Sequence, residues 1–172
     1  KAVKMRSQES PSHLAMYKAL KASARPISVG EVLPSLNTGN VEGFDNTALF
    51  TQAASWHQAI THFTVSEHIY QPAVLVVNKA WYEALSPELK TAVMPESRAS
   101  EEARGRKGIR ALTPLLLENF KQASVEVYAL TPEEKAGFKA ATRPAWDARL
   151  KIASPKGKAL FKAILEAKKS AQ

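Results

Sequence analysis

The run "RPISVGEVLPSLNTGNVEGFDN" (residues 25–46) changes character twice within a short span. Its opening, Arg25–Val29, carries Ile27 and Val29 and predicts a strand. "GEVLPSLNTG" then predicts a short helix, closed by Gly39 where a left-handed C-terminal residue is usual. "VEGFDN" predicts another strand, in which Gly43 lets the backbone be approached closely. Upstream, Ala2–Ser7 predicts a short first strand, and Ser10, Pro11 and Ser12 supply a helix start, since proline is tolerated in a first turn. Leu14, Met16, Tyr17 and Leu20 form an apolar face on that helix. Strand–helix–strand–helix–strand in this order predicts a parallel α/β unit.

After a helix near Asn46–Ser55 comes "THFTVSEHIYQPAVLVVN" (residues 61–78), the most strand-like run in the chain. His62, Thr64, Ser66 and His68 share one face, opposite Phe63, Val65 and Ile69. Past Pro72, "AVLVV" is continuously apolar, the pattern of a strand buried on both faces. One long strand crossing between two environments is therefore expected. The remainder is mostly helical. In "SPELKTAV" Ser86 caps, Pro87 sits in the first turn and Glu88 follows, and Pro95 is expected to end or kink that helix. Residues 96–124 are charged and then apolar, interrupted by Gly105, Gly108 and Pro114. "VEVYAL" predicts a last strand, and "TPEEKAGFKAATRPAWDARL" a capped helix with an internal Pro144.

The chain of 172 residues is 45% hydrophobic, enough for a core, so wholesale disorder is not expected. No window approaches the uninterrupted apolar length of a membrane span. Lys1 is not a start residue and no charged-then-apolar leader follows, so any export signal is expected to have been removed or never to have been part of this chain. With no cysteine, disulfides and thiolate metal sites are excluded. The net charge of +8 raises the question of nucleic acid. Residues 1–71 carry six Lys/Arg against five Asp/Glu, while residues 112–172 carry eleven against six. The surplus sits on "KIASPKGKALFKAILEAKKSAQ", where Leu160, Phe161, Ile164 and Leu165 recur at helical spacing. That pattern predicts an amphipathic terminal helix with a solvated basic face. No RNA-binding aromatic signature or zinc finger accompanies it. A basic module binding nucleic acid or anionic membrane through this helix is the rival functional reading.

Candidate chemistry is sparse. His13, His57, His62 and His68 form no HxxxH or HExxH pattern. His62 and His68 would lie about 20 Å apart on a straight strand, so they cannot share an ion. No GxSxG, Walker loop or dinucleotide fingerprint occurs, so no catalytic residue, metal or cofactor is assigned. Arg6 stands at the end of the first predicted strand, the edge at which open α/β sheets bind ligands. There a guanidinium can clamp a carboxylate, or simply pair with a surface acid. Asn46 occupies the matching place after the third strand. Its side chain can cap the following helix or turn its amide toward a bound oxyanion.

With these residues assembled, the chain resembles the solute-binding proteins of TRAP transporters, the DctP-type family. "KMRSQESP" is similar to that family's segment of strand, arginine and helix start. "PISVGEVLPSLNTGNVEGFDN" is similar to its next block, with Glu31, Leu36, Gly39, Val41, Gly43 and Asn46 in place. "FTVSEHIYQPAVLVVNKAWYEALSPELK" and "VEVYALTPEEKAGFKAATRPAWDA" are similar to its later blocks, in the same order.

The resemblance implies a periplasmic receptor of periplasmic-binding-protein (type II-like) fold. Two α/β lobes with parallel or mixed sheets would close on a small organic anion and deliver it to membrane permease subunits, without catalysis. It implies that Arg6 pairs with the ligand carboxylate and that Asn46 assists. Val29 stands where the family often has an aromatic residue, and Phe44 where a glutamine is frequent. Glu9, Tyr70 and Gln71 lie on segments that would face the cleft. Dicarboxylates, keto acids and aromatic acids all fit such an arginine. Only the carboxyl-terminal half of the family's length is represented, which implies that residues 1–71 and 112–172 form the second lobe. Residues 72–111, with the crossing strand, would belong to the first lobe. The apolar faces around Val74–Val77 and Trp81–Leu85 would then be uncovered and open to self-association.

Overall fold

The computed structural model describes residues 2–94 and 98–170. Strand β1 (Lys4–Ser7) is central in a three-stranded sheet, paired in parallel with β2 (Ser23–Pro26) and β3 (Gly43–Phe44). The helices α1 (Pro11–Ala19) and α2 (Val32–Asn37) make the crossovers, as the sequence predicts for a parallel unit. Gly39 follows α2 at φ 68°, the left-handed stop expected of it. At Gly43 a Cβ would come within 2.9 Å of Met5 Sδ, so the side chain of β1 fills the space that glycine leaves.

The second strand begins and ends earlier than the predicted Arg25–Val29. Its register is set by β1, which pairs Lys4 with Ser23 and Ser7 with Pro26. Val29–Glu31 instead forms a 3-10 turn leading into α2. Pro26 falls at the end of an edge strand, where its missing N–H costs no ladder bond.

A second sheet pairs β4 (His62–Val65) in parallel with β5 (Glu126–Ala129). Between the two sheets in sequence lie α3 (Ala48–Ala53) and a 3-10 turn at Trp56–Ala59. Trp56, 2% exposed, is flanked edge-on by Phe44 and Phe50 at 4.9 and 5.3 Å. Phe120, fully buried, meets Phe63 at 4.9 Å and stacks on His57. These two aromatic clusters, with Val32, Val41 and Val125, make the core.

Asn78, not singled out in the sequence, caps α4 (Lys79–Glu83), and Ser86 caps α5 (Pro87–Val93) as expected. Pro95, expected to end α5, lies outside the described residues. The expected interruptions at Gly105, Gly108 and Pro114 do not break α6 (Arg98–Gln122), which is one helix of 25 residues. Pro114 removes one N–H, but its surroundings are exposed and water can satisfy the freed carbonyl. Thr131 and Glu134 form a reciprocal capping box at the start of α7 (Pro132–Ile152), which runs through Pro144. The basic α8 (Pro155–Ser170) is amphipathic as read, with Leu160 and Ile164 exposed.

The strand expected to continue to Asn78 is hydrogen-bonded only over His62–Val65. Beyond it Val74, Leu75 and Val76 are 82%, 98% and 78% exposed. A strand apolar on both faces needs a ladder on each side and layers above and below. Neither is offered to this segment by the described residues.

Truncation of Phe120 to alanine should cost about 3–5 kcal/mol in urea unfolding, the range for a buried aromatic. Leu75→Ser should leave stability within about 0.5 kcal/mol, because that side chain touches solvent only. A large loss at Leu75 would contradict its placement.

Candidate functional site

The parallel pairing of β1 with β3 sets Arg6 opposite Phe44, and both side chains lie against Trp56. The Arg6 guanidinium sits 5.6 Å from the centre of the indole ring, a cation–π contact. Arg6 is 3% exposed, and its Nε donates to the Ile27 carbonyl at 3.0 Å. Its two terminal nitrogens make no hydrogen bond among the described residues. Burial lowers its pKa, while Asp45 and Tyr17 act in the opposite sense. A guanidinium nevertheless stays charged in proteins. The arginine is thus held from one side and unengaged at its tip.

Asp45 follows β3 and gathers side chains from two other segments. Tyr17 of α1 donates its hydroxyl to Oδ1 at 2.6 Å, and His13, one helical turn earlier, meets Oδ2 through Nε2 at 3.1 Å. His68 Nε2 stands 3.9 Å from the same oxygen. Burial first, and then the hydrogen bond to Asp45, push the Tyr17 phenol far above its ordinary range, so it remains a donor. Burial holds the His68 imidazole below its usual pKa; Asp45 opposes this and His13 adds to it.

Asn46 does not cap α3. Thr47 does, accepting from the Phe50 N–H at 3.1 Å, while Asn46 Oδ1 accepts from the Thr47 N–H at 2.8 Å. The preceding strand end leaves Asn46 one position short of the N-cap, whose backbone is already extended at Thr47. The Asn46 amide nitrogen donates to no protein group among the described residues.

Asn46 lines two cavities. The smaller, about 160 Å³, has Thr47, Thr64, His68, Gln71 and Thr113 in its wall. The larger, about 700 Å³, lies between the two sheets and is walled by Met5, Tyr17, Phe44, Phe63, His68 and Phe138, among others. Of the residues singled out in the sequence, Arg6 and Phe44 are ladder partners, Asn46 follows Phe44 by two positions, and Gln71 lies on the smaller cavity. Arg6 itself lines neither cavity; Phe44, its partner in the ladder, faces the larger. Glu9 is exposed beyond β1, Val29 is half exposed at its 3-10 turn, and Tyr70 is 74% exposed. None of these three borders either cavity.

The cluster around Asp45 was not read from the sequence, although His13 and Tyr17 stand four apart on α1 and so share a face. The alternation of the sequence predicts His62 and His68 on one strand face. The strand ends at Val65 and Glu67 adopts φ 50°, which sends His68 to Asp45 while His62 pairs with exposed Glu126. Among the described residues no cluster of side chains suits a metal ion, and no helix is long and apolar enough to cross a membrane.

Comparison with known proteins gives the family of the chain. Residues 1–152 match the family model DctP, bacterial extracellular solute-binding protein, family 7. A solute-binding protein of Verminephrobacter eiseniae is 30% identical over 142 residues, covering 77% of this chain and 42% of that protein. A TRAP periplasmic solute-binding protein from Xanthobacter autotrophicus, solved with bound β-D-galacturonate, is 30% identical with a TM-score of 0.76, covering 95% of this chain and 53% of that one. The sugar acid binding protein DctPAm from Advenella mimigardefordensis, solved with galactonate, is 26% identical with a TM-score of 0.84, covering 99% of this chain and 54% of its own. The chain thus spans about half the length, or less, of the relatives it matches. These are solute-binding proteins, not enzymes.

A histidine whose folded pKa is depressed contributes stability that is complete above its unfolded value, near 6.5, and is lost as pH falls toward the depressed folded value. Lowering the pH from about 7.5 to about 5.5 should therefore reduce Tm, and His68→Gln should flatten that dependence. An unchanged slope in the variant would remove His68 from the account.

Proposed function

The chain belongs to this family, the DctP-type bacterial extracellular solute-binding proteins, and on that premise we propose that it is the ligand-grasping half of a periplasmic TRAP-transporter receptor. The receptor captures a small organic anion by its carboxylate and presents it to the membrane-embedded permease subunits. One observation carries the site assignment. A buried arginine with an unengaged tip and an asparagine with an unengaged amide stand at the ends of adjacent parallel strands. Two such donors suit one carboxylate, whose oxygens accept several hydrogen bonds. The galacturonate and galactonate bound by the similar structures are both carboxylates, in keeping with this reading.

Residues 1–71 and 112–172 form one lobe in this proposal, and residues 72–111 dock on the other. The exposure of Val74, Leu75 and Val76 supports this, as does the half-length coverage of the relatives. Phe44, standing over Trp56 and facing the larger cavity, supplies an apolar wall to the ligand.

In a receptor of full family length carrying this sequence, calorimetry with D-galacturonate and small dicarboxylates tests the assignment. Arg6→Ala should cost about 2–5 kcal/mol of binding, as expected when a charge-assisted bidentate pair is lost. Arg6→Lys should recover little of it, because an ammonium cannot match the fork. Unchanged affinity in Arg6→Ala would end the assignment.

A further inference from the structure

We propose that Tyr17 and His13 are positioning residues that keep Asp45 from neutralising Arg6, so that the arginine stays available to an external anion. This rests on the reading of Arg6 as the carboxylate-binding group. A buried arginine beside a buried aspartate would ordinarily form an ion pair, since each relieves the other's desolvation. Here the aspartate's charge acts on Arg6, yet no ion pair or hydrogen bond joins them among the described residues.

Both carboxylate oxygens are taken from the α1 side. Tyr17 donates to Oδ1 at 2.6 Å and His13 Nε2 meets Oδ2 at 3.1 Å, with His68 Nε2 at 3.9 Å. The Asp45 and His13 side chains are each only 12% exposed, so water does little to compete for these oxygens. The arginine is anchored away from them by the Ile27 carbonyl and by Trp56. The charged and titratable groups around the carboxylate are therefore Arg6 from β1, His13 and Tyr17 from α1, and His68 from the segment after β4. Among the described residues, the Arg6 terminal nitrogens have no hydrogen-bond partner, and His68 Nε2 comes no closer than 3.9 Å to Oδ2.

Removing the Tyr17 hydroxyl leaves Oδ1 without its donor, a costly state that drives the carboxylate toward an unengaged donor. His68 Nε2 stands nearer, at 3.9 Å from Oδ2, but the Arg6 terminal nitrogens carry a permanent charge and so draw the carboxylate more strongly. An Arg6 occupied by Asp45 in most molecules lowers apparent affinity by the fraction of molecules still open. Neither Tyr17 nor His13 needs to touch the ligand for this to happen.

The test compares a receptor of full family length carrying this sequence with its Tyr17→Phe variant and with Tyr17→Phe combined with Asp45→Asn, with D-galacturonate as the probe. Each protein is followed by ¹H–¹⁵N NMR at the Arg6 Nε–H and the Trp56 indole. Without probe, Tyr17→Phe should shift the Arg6 resonance, and the double variant should bring it back. With probe, Tyr17→Phe should bind about tenfold more weakly, as when nine molecules in ten hold Arg6 closed, and the double variant should recover to near the starting affinity. A purely structural loss from Tyr17→Phe would not be rescued by Asp45→Asn. An Arg6 resonance unmoved by Tyr17→Phe, or a double variant as weak as the single, overturns the proposal. A full-length starting receptor that does not respond to probe at Arg6, while the probe-free shifts appear as expected, overturns the carboxylate-site reading and leaves the restraint on Asp45 standing.

Discussion

Because β1 is hydrogen-bonded in parallel to β2 on one side and β3 on the other, the chain leaves all three strands at the same edge of the sheet. Everything chemically distinctive in the molecule is gathered by that constraint. Arg6 reaches Ile27 beyond β2, Phe44 shares Trp56 with it, and Asp45 and Asn46 emerge beside them from β3. An antiparallel pairing would send Asp45 and Asn46 to the far edge and dissolve the constellation. Helix α1, packed on α7, then brings Tyr17 and His13 over the same edge.

A buried guanidinium that no carboxylate neutralises is an unfavourable arrangement on its own. The molecule spreads that cost over several weak partners. The indole face and a carbonyl accept the arginine without cancelling it, and a phenol and an imidazole take the aspartate. Its membership of a family of binding proteins accords with this economy, since no group in the cluster needs to react.

Much of this fold was legible in the sequence wherever a signal is local. Gly39 stops a helix, Ser86 and Thr131 cap theirs, and the order of strands and helices needs only periodicity. The misses share a physical origin in distant partners. The limits of β2 follow from the register of β1, not from the β-branched residues inside Arg25–Val29. Tyr17 and Asp45 are 28 positions apart, and nothing near either of them announces the bond. Asn46 and Thr47 are both good caps, and only the place where β3 ends decides between them. The continuity of α6 through Pro114 depends on solvent reaching the freed carbonyl, which no local pattern reveals.

The run from Val74 to Val77 also divides the molecule by how firmly its amides are held. The β4–β5 ladder is braced by fully buried Phe120, whereas the apolar run has no ladder on either side among the described residues. Amide hydrogen exchange should follow that division, slow along the ladder and near the solvent rate along the run. The same unprotected backbone gives a protease its easiest entry, and after a first nick between Pro72 and Asn78 the two fragments would stay together through the β4–β5 ladder, the contacts of Phe63 and His57 with Phe120, and the packing of α1 on α7.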